Sequence, residues 1–360
     1  MSKTCRRLRR ALVLGLLPAT CVLTGCRSLP QPGTFAPRKG DEIVVAGQFV
    51  HTGTRVVLWM DPYGYDAYRV ERRFGPIDES SWETSKVAVP ALTSPNRYGL
   101  RRAVLTEAQA ERMRGGGWDL PLLQEVVDQF VIHYDVCGTS RQCFKVLHDL
   151  RGLSVHFLLD LDGTLYQTLD LKERAWHATT SNSRSVGVEI ANIGAYPPGQ
   201  RAVLDQWYER EADGQTRITI PARFGDGGLR TPGFVGRPAR LEAITGTLQG
   251  KELVQYDLTP EQYQALIKLT ATLCKIFPKL TCDYPRNADG HFIPRKLSDE
   301  QLSRHQGLIG HLHIQANKVD PGPAFQWDYL VDCARTLLRR PRPLDASGRG
   351  SALLLFRSPR

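Results

Sequence analysis

His311, Lys318 and Asp320 lie within ten residues of one another. A Pro321-Gly322-Pro323 turn then closes the stretch before the aromatic pair Phe325 and Trp327. Imidazole and carboxylate are zinc ligands, and an ammonium beside them suits negative charge developing on a substrate oxygen. A catalytic zinc keeps three protein ligands and leaves the fourth position for water. His311 and Asp320 therefore read as two ligands, with Lys318 next to them. His133, closing the apolar run 129–134, is a third residue of suitable type. Any such set drawn from nine histidines is weak on spacing alone, so the elements that carry it have to be considered.

The run 129–134 fits a buried strand. Residues 155–159 and 164–167 read as strands about the turn signal Asp162-Gly163. Over 185–190, alternation places Val186, Val188 and Ile190 on one face and Ser185, Gly187 and Glu189 on the other. Helices are expected over 106–114, over 140–150, from the capping signal Thr259-Pro260-Glu261-Gln262 onward, and over 327–338. Tyr263, Leu266, Ile267, Leu269, Leu273 and Ile276 give the third of these a buried stripe. Strands alternating with helices predict an α/β domain over 118–340, a central mixed sheet flanked by helices. Residues 194–257, polar and rich in Gly and Pro, read as an insertion forming a rim or lid. Residues 41–115 read as a β-rich N-terminal extension, with 43–45 and 56–59 forming a hairpin about His51-Thr52-Gly53-Thr54. Residues 283–303 read as a loop, and 341–360 as a basic tail.

The first 25 residues read as an export signal. Lys3, Arg6, Arg7, Arg9 and Arg10 precede an apolar run over 11–23 that is too short to span a bilayer comfortably. Leu23-Thr24-Gly25-Cys26 resembles a bacterial lipobox, which makes Cys26 the lipid-modified first residue of the mature chain and 26–40 a linker. An arginine follows Cys26, so the outer membrane, periplasmic side, is the favoured address. Removing the five leader charges lowers the formal net charge from +10 to +5. That mild excess, with no interleaved basic and aromatic motif, gives no sign of nucleic-acid binding. A monomer is expected. An exported chain can keep disulfides. Cys137 and Cys143, six apart after a strand, form one candidate pair, and Cys274 with Cys282 a weaker one. The alternative is that all are small buried hydrophobes.

Five motifs occur in order: Phe130-Val131-Ile132-His133; Val155-His156-Phe157-Leu158-Leu159-Asp160 with Asp162-Gly163-Thr164-Leu165-Tyr166-Gln167; Ala175-Trp176-His177-Ala178; Ser185-Val186-Gly187-Val188-Glu189; and Gly310-His311 with Lys318-Val319-Asp320-Pro321-Gly322-Pro323-Ala324-Phe325. Together they resemble the zinc-dependent N-acetylmuramoyl-L-alanine amidases of type 2, a family that shares its fold with the peptidoglycan recognition proteins. The resemblance runs over about 130–330, interrupted by the insertion. It implies His133, His311 and Asp320 as ligands of a Zn2+ ion, Glu189 as the catalytic carboxylate and Lys318 as the transition-state lysine. It also implies a substrate cleft walled by Tyr134, Trp176 and His177, and a short disulfide loop through Cys137 and Cys143. His156 and His313 are left as structural histidines.

The implied activity is hydrolysis of the amide between N-acetylmuramic acid and L-alanine, with peptidoglycan or muropeptides as partners and a lipid-anchored place in the cell envelope. The rival expectation is a peptidoglycan-binding protein of the same fold without catalysis. Relatives of that kind typically lack a zinc ligand, and all three are present here. Two departures stand out. Ala316-Asn317 precede Lys318 where the family often has an arginine, and Thr179 stands where Gly commonly follows the Trp-His-Ala motif.

Overall fold

The computed structural model describes residues 32–90 and 92–339. The expected signal over 1–25, the lipidation site Cys26 and the tail over 341–360 lie outside the described residues. The chain divides after Pro37, and a compact unit begins at Arg38. Among the described residues no helix is long and apolar enough to cross a membrane.

In chain order the unit opens with β1 (Glu42–Val45), β2 (Gln48–His51) and β3 (Val56–Leu58). Next come α1 (Trp82–Ala88), β4 (Tyr98–Gly99), α2 (Glu107–Arg114) and α3 (Leu120–Val126). The run 129–134 is β5 (Gln129–Tyr134), buried throughout as a central parallel strand requires. It is followed by α4 (Ser140–Phe144), which continues as a π-helical turn over Lys145–Leu150. Then come β6 (Phe157–Leu159), β7 (Leu165–Gln167), β8 (Arg174–Ala175) and β9 (Ser185–Ile190). The insertion holds α5 (Ala202–Asp205) and the hairpins β10 (Tyr208–Arg210) with β11 (Thr216–Ile218), and β12 (Ile244–Leu248) with β13 (Lys251–Gln255). The chain then forms α6 (Pro260–Ile276), α7 (Asp299–Arg304), β14 (Gly307–Gly310) and α8 (Trp327–Arg339).

Six strands form one mixed sheet in the order β14-β5-β9-β6-β7-β3. The strands β14, β5, β9 and β6 run parallel, and β7 is antiparallel to β6 across the expected hairpin. Phe130 and Ile132 of β5 and Val186, Val188 and Ile190 of β9 meet Tyr263, Leu266, Leu269 and Leu273 of α6 and Leu330 of α8 in the main core. On the opposite face, Phe144 and Cys143 of α4 pack with Leu158 and Tyr166. Thr259 and Gln262 form the capping box expected at the start of α6.

Two local expectations are corrected. The first hairpin turns at Ala46-Gly47, where both residues have positive φ, so β1 pairs with β2. The segment expected to close that hairpin, β3, instead joins the main sheet parallel to β7. Within 283–303, Ser298 and Gln301 form a capping box that starts α7, a signal present in the sequence but read as loop.

Candidate metal centre

The parallel strands β5, β9 and β14 end on one level. His133 is the register partner of Glu189, and Gly310 of β14 pairs with Ile132, so the chain leaves the sheet at His311 beside His133. Such carboxyl ends of parallel strands are where open α/β sheets bind ligands. After a 3-10 turn over His311–His313 the chain loops back, and the Leu312 N–H donates to the Asp320 carbonyl at 3.1 Å. That bond returns Asp320 to the sheet end.

The three residues converge. His133 Nδ1 lies 3.0 Å from His311 Nδ1 and 2.9 Å from Asp320 Oδ2, and His311 Nδ1 lies 3.2 Å from the same oxygen. All three residues are buried. The outer nitrogens are engaged elsewhere. His311 Nε2–H donates to Gln315 Oε1 at 2.5 Å, and His133 Nε2 lies 3.0 Å from His177 Nδ1, whose own Nε2 is directed at Ser185 Oγ at 3.4 Å. With the outer nitrogens so engaged, His133 Nδ1, His311 Nδ1 and Asp320 Oδ2 face one another. Burial, with His311 alongside, pulls the His133 imidazole down to about 4. Burial would raise the Asp320 carboxyl, yet the two imidazoles hold it well below the usual carboxylate range. Three donors of a tetrahedral zinc with bonds of about 2.0–2.1 Å lie about 3.3 Å apart, close to the triangle seen here. Two imidazoles and a carboxylate facing one point fit a divalent cation.

A cleft of about 440 Å³ opens onto this point, and Glu189, Lys318, Tyr134, Trp176 and His177 line it. Glu189 is half-buried. Burial, then the Asp320 charge, raises its carboxyl well above the ordinary range, while Lys318 pulls the other way. The Tyr134 ring packs over Gly194, where a Cβ would meet it. The Trp176 indole N–H has no partner among the described residues.

His177, expected only as a cleft wall, also backs His133. Its ring lies directly on Gly187, where any Cβ would strike it. Asn182 Oδ1 accepts from the backbone N–H groups of His177 and Ala178, fixing that turn. Thr179, in the place where the resemblance expects glycine, has φ 45°, a left-handed conformation unusual for a β-branched residue. His313 and His156 turn away from the metal point. His313 bonds the Gly310 N–H and the Ile293 carbonyl, and His156 bonds the Gly187 N–H and the Glu173 carbonyl.

Cys137 and Cys143, expected as a disulfide pair, lie in contact with each other. Both are free thiols on the cleft wall. Burial, and the contact with Cys137, hold the Cys143 thiol well above its ordinary range, so it stays protonated. Cys274 and Cys282 are free as well. The reading of the sequence missed Gln315. Its spacing of four residues from His311, where the chain turns helically, is the signal that places it under the ring.

No curated protein matches the chain. Among solved structures it is similar to a selenomethionine derivative of AmpD, at 16% identity over 66% of this chain and 89% of that one, with a TM-score of 0.30. It is also similar to the N-acetylmuramyl-L-alanine amidase AmiD from E. coli, solved with anhydro-N-acetylmuramic acid-L-Ala-D-gamma-Glu-L-Lys, at 18% identity over 57% of each chain and a TM-score of 0.31. A third is the endolysin N-acetylmuramoyl-L-alanine amidase LysCS from Clostridium intestinale URNW, at 14% identity over 60% of this chain and 86% of that one, with a TM-score of 0.30. At such scores these likenesses carry no argument. The family model described as N-acetylmuramoyl-L-alanine amidase matches residues 123–323, more than half of the chain. Since that span takes in His133, Glu189, His311, Lys318 and Asp320, the chain belongs to the N-acetylmuramoyl-L-alanine amidase family.

Proposed function

We propose that this amidase cleaves the bond between the N-acetylmuramic lactyl group and L-alanine at a zinc ion held by His133, His311 and Asp320. The observation that carries the reading is the convergence of His133 Nδ1, His311 Nδ1 and Asp320 Oδ2 at the floor of a cleft that also holds Glu189 and Lys318. Zinc, when bound, acidifies a water molecule and polarises the scissile carbonyl. Glu189, with its raised carboxyl, takes a proton from the attacking water and passes it to the departing alanine nitrogen. The water oxygen bonds to the lactyl carbonyl carbon, the carbon–nitrogen bond breaks, and a lactyl carboxylate and a free alanine amine leave. The Lys318 ammonium faces the carbonyl oxygen as it gains charge. Tyr134 and Trp176 hold the muramoyl-peptide against the cleft wall.

The metal is tested by elemental analysis of purified protein together with chelation. One zinc per chain is expected, with hydrolysis lost on chelation and restored by zinc. Full activity in metal-free protein would contradict the reading.

The same proposal places the enzyme in the bacterial envelope, tethered through an acylated Cys26 to the periplasmic side of the outer membrane. The lipobox-like sequence before Cys26 supports it. Replacing Cys26 with Ala should move the protein from the membrane to the soluble fraction, and unchanged membrane recovery would count against the anchor.

A further inference from the structure

The loop that carries His311, Lys318 and Asp320 has little regular structure, so its backbone carbonyls need partners from elsewhere. One side chain supplies three. Gln249 Nε2 shares its two N–H groups among the carbonyls of Leu312 at 2.7 Å, Lys318 at 3.1 Å and Gln315 at 3.3 Å. Its Oε1 accepts from the Lys296 N–H at 3.1 Å, and its own backbone N–H donates to Pro294. Gln249 is the first residue of the two-residue turn joining β12 to β13, within the insertion 194–257.

Its backbone is in the left-handed region, at φ 52°, with Gly250 following at φ 73°. That geometry favours Asn, Asp or Gly. A glutamine there accepts backbone strain, and its reach to three carbonyls gives the strain a use.

The same hairpin holds the other end of the loop. Gln255, buried on β13, donates from Nε2 to the Pro321 carbonyl at 3.0 Å and to Asn192 Oδ1 at 3.2 Å, and its Oε1 accepts from the Ala324 N–H at 3.0 Å. Asn192 lies two residues beyond β9, the strand of Glu189. Leu248 and Leu253 pack on Leu312 between the two glutamines.

We infer that the β12–β13 hairpin is a brace and that Gln249 is a positioning residue for the metal loop. Through Leu312 it holds the residue after His311. Through Gln315 it holds the residue that accepts the His311 Nε2 hydrogen bond, and through the Lys318 carbonyl the backbone that carries the ammonium. Gln255 ties the far end of that loop to the strand of the catalytic carboxylate. The insertion is thereby a structural part of the site and not a lid over it. The role toward zinc rests on the metal reading above. The role in ordering the loop does not.

The test is Gln249→Gly, which relieves the left-handed backbone and deletes the amide. Gln249→Asn, which tolerates that backbone but is one methylene short, serves as a second variant. Each variant is expected to unfold within a few degrees of wild type. In metal-free protein, hydrogen exchange of the 312–318 amides should quicken about tenfold or more. Zinc affinity by chelator competition should weaken about tenfold, the lower end for a group that orients metal ligands. Wild-type exchange over 312–318 in both variants would overturn the inference, as would wild-type zinc affinity where the parent protein binds zinc. If the parent binds none, the metal reading fails, and exchange alone decides whether the hairpin orders the loop.

Discussion

His133 and Glu189 are direct register partners on the adjacent parallel strands β5 and β9. Neighbouring strands lie about 4.8 Å apart, and register partners point to the same face. The distance between His133 and Glu189 is therefore set by sheet hydrogen bonds and not by a loop. His311 reaches the same level because Gly310 pairs with Ile132 on the other side of β5. Three adjacent strands deliver His311, His133 and Glu189, while Asp320 and Lys318 arrive on irregular chain.

This separation of roles predicts the phenotype of Glu189→Ala. Zinc content should stay at the wild-type level, since none of the three converging atoms belongs to Glu189. The rate should fall at least about 100-fold, the low end for a lost general base. Paired zinc analysis and turnover measurement check it, and a rate within a few-fold of wild type would refute the assignment.

Gly187 lies under the His177 ring, so Gly187→Ala should push that ring off His133 Nε2. His133, His311 and Asp320 remain, but the ring in contact with His133 Nε2 is displaced. Zinc affinity is expected to fall about tenfold in a chelator competition. Unchanged affinity would mean that His177 does not orient the ligand.

His156 gives a pH-dependent prediction away from the metal. Burial, then the neighbouring Arg101 charge, pulls its imidazole down to about 3, against roughly 6.5 in an unfolded chain. Its contribution is therefore complete above pH 6.5. As pH falls below that value, the unfolded state takes up a proton that the folded state refuses. Each pH unit then costs the folded state about 1.4 kcal/mol. Gln can accept from Gly187 and donate to Glu173 without titrating. The stability advantage of wild type over His156→Gln should thus shrink by about 2 kcal/mol between pH 7 and pH 5 in urea unfolding. A gap independent of pH would contradict it.

The sequence made the strand-borne part of the site legible for a physical reason. Period-two alternation over 185–190 puts Glu189 opposite the core residues Val186, Val188 and Ile190, and the short apolar run before His133 fits a buried strand. The capping box at Thr259 likewise fixed the start of the helix that covers the core face. What escaped was long-range. Nothing local tells β3 to pair with β7 instead of β1, because a three-residue apolar strand suits either edge. The support of His133 by His177 depends on Gly187, which lies in a different strand and reads only as a small residue. Gln249 lies in a stretch so polar and irregular that it suggested a lid, and its three carbonyl partners are more than sixty residues away in sequence. The thiol state of Cys137 and Cys143 was equally hidden, since spacing constrains proximity and not oxidation.

The central claim is amide hydrolysis at the muramoyl–alanine bond by a zinc-loaded chain. Mass spectrometry of purified sacculi digested with the protein tests it most directly. The account predicts stem peptides released with a free N-terminal L-alanine and glycan carrying unsubstituted lactyl carboxylates, both absent with Glu189→Ala. Intact muramoyl–alanine bonds after digestion with zinc-loaded wild-type protein would contradict it.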